Sequence, residues 1–236
     1  MSITRVVVPP ASLRLGEVTL DDDAAHHARV ARVRAGEAIE LLDLAGVVGV
    51  GWVVAWEGKR CRVLVEALLA EQGEPPEPLV LGLGLLHTAA FDWAVEKAVE
   101  LGVTSLVPVV SSRVQGRLAR PRPERWRRIA AAAAAQCGRS RVPELMPPTP
   151  LSAFLRGATG LRLVAEPAAP RGNGELATGG GGLTVLVGPE GGLTAEEVAE
   201  AVSAGFVPLG LGPRTLRAET AAVAALAVAQ QRAGWI

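Results

Sequence analysis

The sequence predicts an α/β protein in two parts: a small, partly open β-barrel over residues 1–72 and an α/β domain with a mostly parallel sheet over residues 73–236. Three observations carry this. Short apolar segments punctuated by turn residues crowd the first 70 or so positions. A proline- and glutamate-rich run, EQGEPPEP at Glu71–Pro78, reads as a linker. Beyond it, strand-like apolar segments alternate with segments of helical spacing, the pattern of a parallel α/β sheet.

In the first part, Ile3–Val8, Ala38–Asp43, Val47–Trp56 and Arg62–Leu69 are expected as strands, separated by Pro9-Pro10, Gly36-Glu37, Ala45-Gly46 and Gly58-Lys59. Asp21–Arg34 begins with acidic residues and carries arginines toward its end, the charge order that a helix dipole favours, so a helix is expected there. In the second part Leu79–Leu86 reads as a buried strand, and Ala89–Leu101 places Ala94, Val95, Ala98 and Leu101 at helical spacing. Ser105–Val110 is a short strand and Glu124–Gln136 a helix, while Thr149-Pro150 reads as an N-cap followed by proline at the first helical position. Leu161–Ala165, Leu183–Val187 and Val207–Leu211 complete the strands. Thr194 and Glu197 form a capping box before the next helix, and a closing helix runs to about Gln231.

Composition narrows the class. With 236 residues there is volume for a real core, and with no Tyr and 3 Phe that core must be aliphatic. Cys61 and Cys137 have neither a disulfide framework nor a metal-ligand spacing, and no ligand cluster suggests a metal. The start MSITRVVVPP has too short an apolar stretch for a signal peptide, and no unbroken apolar run of about 18 residues occurs. A soluble, cytoplasmic protein without a membrane partner is expected.

Formal net charge is zero, but it is unevenly spread. From Ser111 to Pro150 there are nine arginines (113, 117, 120, 122, 125, 127, 128, 139 and 141) against Glu124 and Glu144, a net +7. A solvated helix face with loops and a phosphate-backbone contact surface are both open readings; the scarcity of lysine favours the second, because guanidinium offers a fork suited to phosphate. Arg29, Arg32 and Arg34 form a smaller basic set beside His26 and His27.

Two apolar segments break into Gly/Pro-rich turns, VGPEGG at Val187–Gly192 and LGLGPRTLRAET at Leu209–Thr220. Neither fits a P-loop, and GxGxxG is absent after any early strand, which disfavours a nucleoside triphosphate or a dinucleotide. Turns at strand ends in a parallel sheet fit an adenosine-like ligand held by main-chain groups and apolar walls, or strand-to-helix turns that merely close the fold.

The pair VLVGPEGG and LGPRTLRAETA, in this order, resembles the knotted methyltransferases that use S-adenosylmethionine. More narrowly, the chain resembles the family that methylates N3 of a uridine in 16S ribosomal RNA. HHARVARVRAGEAIELLD (His26–Asp43), VEKAVELGVTSLVPVVSSR (Val95–Arg113) and AAAAAQCGRSRVPEL (Ala131–Leu145) extend the resemblance over nearly the whole chain. It implies a PUA-like barrel followed by a trefoil-knotted, S-adenosylmethionine-dependent domain, acting as a homodimer on 16S ribosomal RNA or the small ribosomal subunit. One block departs from the pattern: after Leu86 relatives carry a basic residue or two, whereas here His87-Thr88-Ala89-Ala90-Phe91-Asp92 follows, with no Lys or Arg before Lys97. His87 either substitutes as a donor or is an ordinary strand-end histidine.

Carried onto this sequence, the resemblance assigns the methyl donor to Leu163, Glu166, Leu186, Gly188, Gly192, Leu209, Leu211 and Leu216. Arg217 is expected to meet the RNA or orient the target uracil. Glu219 is expected to hold the loop, two residues away and off the helical face of Arg217. Glu190 either orients the sulfonium ligand, fixes its loop or caps a neighbouring helix. Arg217, Glu219 and Glu190 are the catalytic candidates, and the proton acceptor stays open among Glu190, Glu219 and solvent. Arg29, Arg32, Arg34, Arg113, Arg125, Arg128 and Arg139 are the candidate RNA contacts. Two other functions stay open: the same chemistry on transfer or 23S ribosomal RNA, and a non-catalytic RNA-binding assembly factor.

Overall fold

The structure is a computed structural model and describes residues 3–20, 22–114, 122–167, 169 and 176–236. The chain divides into two compact units, Met1–Glu74 with Ala131–Val142, and Pro75–Ala130 with Pro143–Ile236. Residues 131–142, expected in the second part, thus count with the first.

The first unit is a five-stranded sheet of β1 (Thr4–Val7), β2 (Gly16–Leu20), β3 (Ala38–Leu42), β4 (Val47–Glu57) and β5 (Arg60–Ala70), in the order β1-β3-β4-β5-β2, with helix α1 (Asp22–Val30). Strands β1 and β3 run parallel and the other pairs antiparallel. β2 was not expected from the sequence, although GEVTL alternates as a half-buried strand should: Val18 and Leu20 are buried, Glu17 and Thr19 exposed. Its core is aliphatic, built on Val6, Ile39, Leu41, Val53, Val63 and Val65 around the buried Cys61. Burial pushes the Cys61 thiol above its ordinary range.

Residues 131–142 belong here by specific bonds. Gly46 N donates to Ser140 O at 3.0 Å, and the Arg5 guanidinium donates to Gln136 O at 2.8 Å. Arg139 and Glu74 form a buried ion pair, their side chains 3% and 7% exposed.

The second unit is built on β6 (Leu79–Gly84), β7 (Ser105–Val110), β8 (Glu144–Leu145), β9 (Thr149–Pro150), β10 (Leu161–Ala165), β11 (Leu183–Val187) and β12 (Val207–Leu209). The order is β12-β10-β11-β6-β7-β8, with β9 also on β7, and every described pairing is parallel. All five residues of β11 are buried, as are all of β6 except the partly buried Val80, as strands covered on both faces require. The helices are α2 (Thr88–Glu100), α4 (Leu151–Gly157), α5 (Ala195–Ser203) and α6 (Ala218–Arg232), with the first part of α3 (Pro123–Cys137), whose residues from Ala131 on count with the first unit. The expected capping box opens α5: Glu197 N donates to Thr194 Oγ1 at 3.2 Å, and Thr194 N to Glu197 Oε2 at 2.9 Å.

Thr149-Pro150 is a correction. A residue preceding proline is pushed into extended backbone, and here the pair joins β7 as β9. Pro150 (φ −56°, ψ 142°) is then the N-cap of α4, and Thr149 Oγ1 donates to Pro147 O at 2.9 Å instead of capping. The last strand ends at Leu209, two residues early, which frees residues 210–217 as an irregular segment. Among the described residues no helix is long and apolar enough to cross a membrane, and no group of three or more His, Cys, Asp or Glu side chains could hold a metal ion.

Candidate active site

Strands β10, β11 and β6 lie side by side in the sheet; the chain leaves β10 through Glu166-Pro167 and β11 through a Gly- and Pro-bearing turn. Residues Gly188–Leu193 after β11, Glu166-Pro167 after β10, His87 after β6 and Leu211–Glu219 after β12 enclose a cavity of about 780 Å³. Its size and place suit a small organic ligand in a parallel α/β sheet.

Close backbone approach shapes the first wall. A Cβ on Gly84, at the end of β6, would overlap the backbone nitrogen of Pro189, so only glycine lets the strand and the turn meet. Gly192 (φ 70°) closes the turn by donating to Pro189 O at 2.8 Å.

Two clamps fix this turn. Glu190 Oε1 accepts from the backbone N–H of His87 at 2.8 Å. His87 is the N-cap of α2 and makes no cap bond with its own side chain. The carboxylate therefore sits at the positive end of α2 and does the capping from across the chain. Of the alternatives the sequence leaves for Glu190, this bond matches the helix cap, and it holds the glycine turn as well. On the other side Arg113 Nη1 donates to Gly191 O at 3.0 Å and Leu193 O at 3.3 Å. The same loop is tied to α5, where Ser112 N donates to Glu197 Oε1 at 2.7 Å. Burial pushes the Glu197 carboxyl up, but the N–H bonds from Ser112 and Thr194, the Ser112 hydroxyl and the Arg113 charge outweigh it and hold it below the ordinary carboxylate range.

The second wall is Leu211, Gly212, Arg214, Thr215, Leu216 and Arg217. Arg217 is the N-cap of α6, with extended backbone (φ −64°, ψ 152°), and its carbonyl accepts from Ala221 N at 2.7 Å. Because Arg217 stands outside the helix, helical spacing does not separate it from Glu219, and both residues line the cavity. Among the described residues neither side chain has a hydrogen-bond or ion-pair partner. The expectation that Glu219 ties the loop down by hydrogen bonds is therefore corrected.

The cavity brings together Glu166, Gly188, Glu190, Gly192, Leu211, Leu216, Arg217, Glu219 and Arg113 from the sequence assignments. Leu163, Leu186 and Leu209 are 1%, 0% and 2% exposed and stand inside the sheet, off the lining. A strand buried on both faces reaches a cavity at its end only with its last residue, and Ala165 and Val187 occupy those tips. Arg214 was missed, though a cation within LGPRT, with no acid near it in sequence, was the signal that could have found it.

The candidate RNA contacts fare unevenly. Arg139 is corrected: 3% exposed and paired with Glu74, it has no face to offer a phosphate. Arg113 braces the glycine turn. Arg125 is half exposed and paired with Asp92 at 2.6 Å, while Arg127 pairs with Glu124 and Arg141 with Glu71. Arg128 and Arg122 are exposed and without side-chain partners among the described residues, as are Arg32 and Arg34. Arg29 donates to Gly58 O and lies over the Trp56 ring at 4.9 Å. Arg117 and Arg120 lie outside the described residues.

Comparison with known proteins agrees with this geometry. The RNA methyltransferase domain family matches residues 73–230. Ribosomal RNA small subunit methyltransferase E of Synechocystis sp. is 30% identical over 231 residues, spanning 94% of this chain and 76% of the relative. Its counterpart in Aquifex aeolicus is 30% identical over 230 residues, spanning 92% of each. Among solved structures, ribosomal RNA small subunit methyltransferase E from Neisseria gonorrhoeae bound to S-adenosyl methionine is 32% identical with a TM-score of 0.82, covering 98% of both chains. A Legionella pneumophila methyltransferase in complex with the same cofactor is 28% identical with a TM-score of 0.77, again covering 98% of both. The chain belongs to the RNA methyltransferase family, and within it to the ribosomal RNA small subunit methyltransferases E.

Proposed function

We propose that this protein transfers a methyl group from S-adenosylmethionine to N3 of a uridine in 16S ribosomal RNA. The observation that carries the reading is the cavity at the strand ends, one wall a clamped glycine turn and the other bearing Arg217 and Glu219 without partners among the described residues. The lining fits the donor. Apolar side chains of Val187, Leu193, Leu211 and Leu216 and the open backbone at Gly188–Gly192 suit an adenosine, and carboxylates suit its hydroxyls and cationic centre. When bound, S-adenosylmethionine supplies an electrophilic methyl group.

The residues of the chain then have three tasks. Glu190 and Arg113 keep the glycine turn in one conformation, so that backbone groups are set before binding. Arg217, unneutralised at the mouth of α6, stabilises negative charge on the uracil oxygens as N3 loses its proton. Apolar walls exclude water from the reacting centre. The first unit is read as a PUA-like RNA-binding barrel and the second as a trefoil-knotted domain. The protein acts as a cytoplasmic homodimer. Arg32, Arg34, Arg122 and Arg128, exposed and without partners among the described residues, are the RNA contacts that this reading retains. A target base has to leave its stack to enter such a cavity.

The purified protein, given S-adenosylmethionine and small ribosomal subunits or their RNA from a strain lacking the modification, is expected to produce N3-methyluridine at one site by mass spectrometry. Methylation of another RNA, or at another atom, would sink the reading. Arg217→Ala is expected to lower turnover by about 10²-fold or more with methyl-donor affinity kept, and equal losses in both would remove its assigned role.

A further inference from the structure

We propose that His87 accepts the N3 proton of the target uracil, an assignment that rests on the uridine-N3 reading above. The imide N–H must be lost as the methyl carbon is attacked, and an efficient acceptor lies in the cavity and titrates near the working pH. Among the described residues the cavity offers four candidates: Glu166, Glu190, Glu219 and His87. Glu190 is occupied in capping α2 through the His87 N–H. Glu219 stands in the first turn of α6, where its carboxylate interacts favourably with the N-terminal end of the helix. Glu166 follows β10, on the far side of β11 from the β6 end that carries His87. A carboxylate, with an ordinary pKa of about 4.3, is also a poorer match for a weakly acidic imide than an imidazole at about 6.5.

The position of His87 has no structural explanation of its own. N-caps select Ser, Thr, Asp or Asn, and the His87 side chain makes no cap bond. Its backbone is nevertheless fixed at both ends: the N–H on Glu190, and the carbonyl accepting from Phe91 N at 3.0 Å. His87 is exposed and lines the cavity, and its imidazole has no hydrogen-bond partner among the described residues. A fixed backbone with an unpartnered imidazole, on a residue at the cavity and open to solvent, is what a proton acceptor needs. The charged groups around this cavity are Glu190 from the glycine turn, Arg113 from the loop after β7, Glu166 from the end of β10, and Arg214, Arg217 and Glu219 from the second wall. On α2 itself the nearest is Asp92, held by Arg125.

The step balances. The N3 proton passes to an imidazole nitrogen, and the freed N3 lone pair bonds the methyl carbon as the sulfonium C–S bond breaks. The imidazolium then returns its proton to water. The products are N3-methyluridine, the neutral thioether and one proton in solution.

Single-turnover methylation of small-subunit RNA is to be measured from about pH 5.5 to about pH 9 for wild type, His87→Gln and His87→Asn, the last keeping a good capping side chain. Wild type is expected to show a one-proton acid limb with a plateau above neutrality. Both variants are expected to fall about 10²- to 10³-fold and lose that limb, while methyl-donor affinity by calorimetry stays within about twofold. Without methyl donor, an RNA fragment bearing the target uridine is expected to shift the imidazole resonance that is missing from His87→Gln. Variants that keep the acid limb with rates within about fivefold of wild type, or an imidazole resonance unmoved by RNA, would overturn the assignment. A wild type that fails to methylate N3 would instead bring down the functional reading, and that failure shows in the wild type alone.

Discussion

Replacing Arg113 with alanine is expected to weaken methyl-donor binding about tenfold while leaving the salt dependence of RNA binding unchanged. The guanidinium reaches Gly191 O at 3.0 Å and Leu193 O at 3.3 Å, the first a good bond and the second at the long edge of the range. Hydrogen bonds to a charged group contribute about 1.5–3 kcal/mol, and the side chain is exposed, so water recovers part of that and the low end applies. About 1.4 kcal/mol is a factor of ten. Packing survives the change, because the Gly191 backbone rests against Arg113 Cβ, which alanine keeps; a Cβ built on Gly191 would stand 3.2 Å from it. Calorimetry with S-adenosylmethionine and filter binding to small-subunit RNA over a salt series read the two effects separately. Arg113→Lys sharpens the test, since it keeps the charge but cannot fork to two carbonyls. Donor affinity within about twofold of wild type, with the salt slope reduced by about one phosphate contact, would refute the clamp and restore Arg113 as an RNA contact.

Glu197 gives a pH prediction. Its carboxyl is held below the ordinary range in the folded protein, so its stabilisation is present above the unfolded pKa and is lost as pH falls through the lower folded value. Glu197→Gln is expected to lose about 1 kcal/mol at neutral pH and to flatten the acid side of the urea-midpoint profile; an unchanged acid limb would show that the bonds from Ser112 and Thr194 contribute nothing net. Arg139→Ala leaves Glu74 buried without its cation and is expected to cost about 3 kcal/mol in urea unfolding, most of it regained in Arg139→Met with Glu74→Met. RNA binding of the double variant should keep its salt slope, and a reduced slope would return Arg139 to the RNA contacts. Gly84→Ala drives a methyl into the Pro189 backbone and is expected to reduce donor affinity tenfold or more; unchanged calorimetry would mean that the turn yields freely.

Much of the second unit was legible because its strands are continuous apolar runs and α5 begins with a local signal, the Thr194–Glu197 box. What failed depended on distant partners. Thr149-Pro150 carries the chemistry of a helix start, and only pairing with Val109 and Val110 makes it a strand. Arg139 looks like its neighbours in sequence, and nothing local says that Glu74 will bury it. The Gly-rich turns announced a cavity, but which leucines would line it depended on where each strand stops, to the residue. Arg217 and Glu219 both line the cavity, and Arg217 does so as the N-cap of α6 and not by helical spacing.

The make-up of the first unit has a consequence for the order in which the chain is made. Its β-strands are complete once Ala70 is synthesised, but Arg139, which neutralises Glu74, comes 65 residues after that glutamate. Until then Gly46 lacks its Ser140 partner and Arg5 its bond to Gln136 O. A nascent chain therefore holds a sheet with an unfinished edge while most of β6 to α3 is still being translated, and closing that long loop delays completion of the unit. A fragment cut at the proline-rich linker would freeze this intermediate, because the unit is assembled from two separate passes of the backbone.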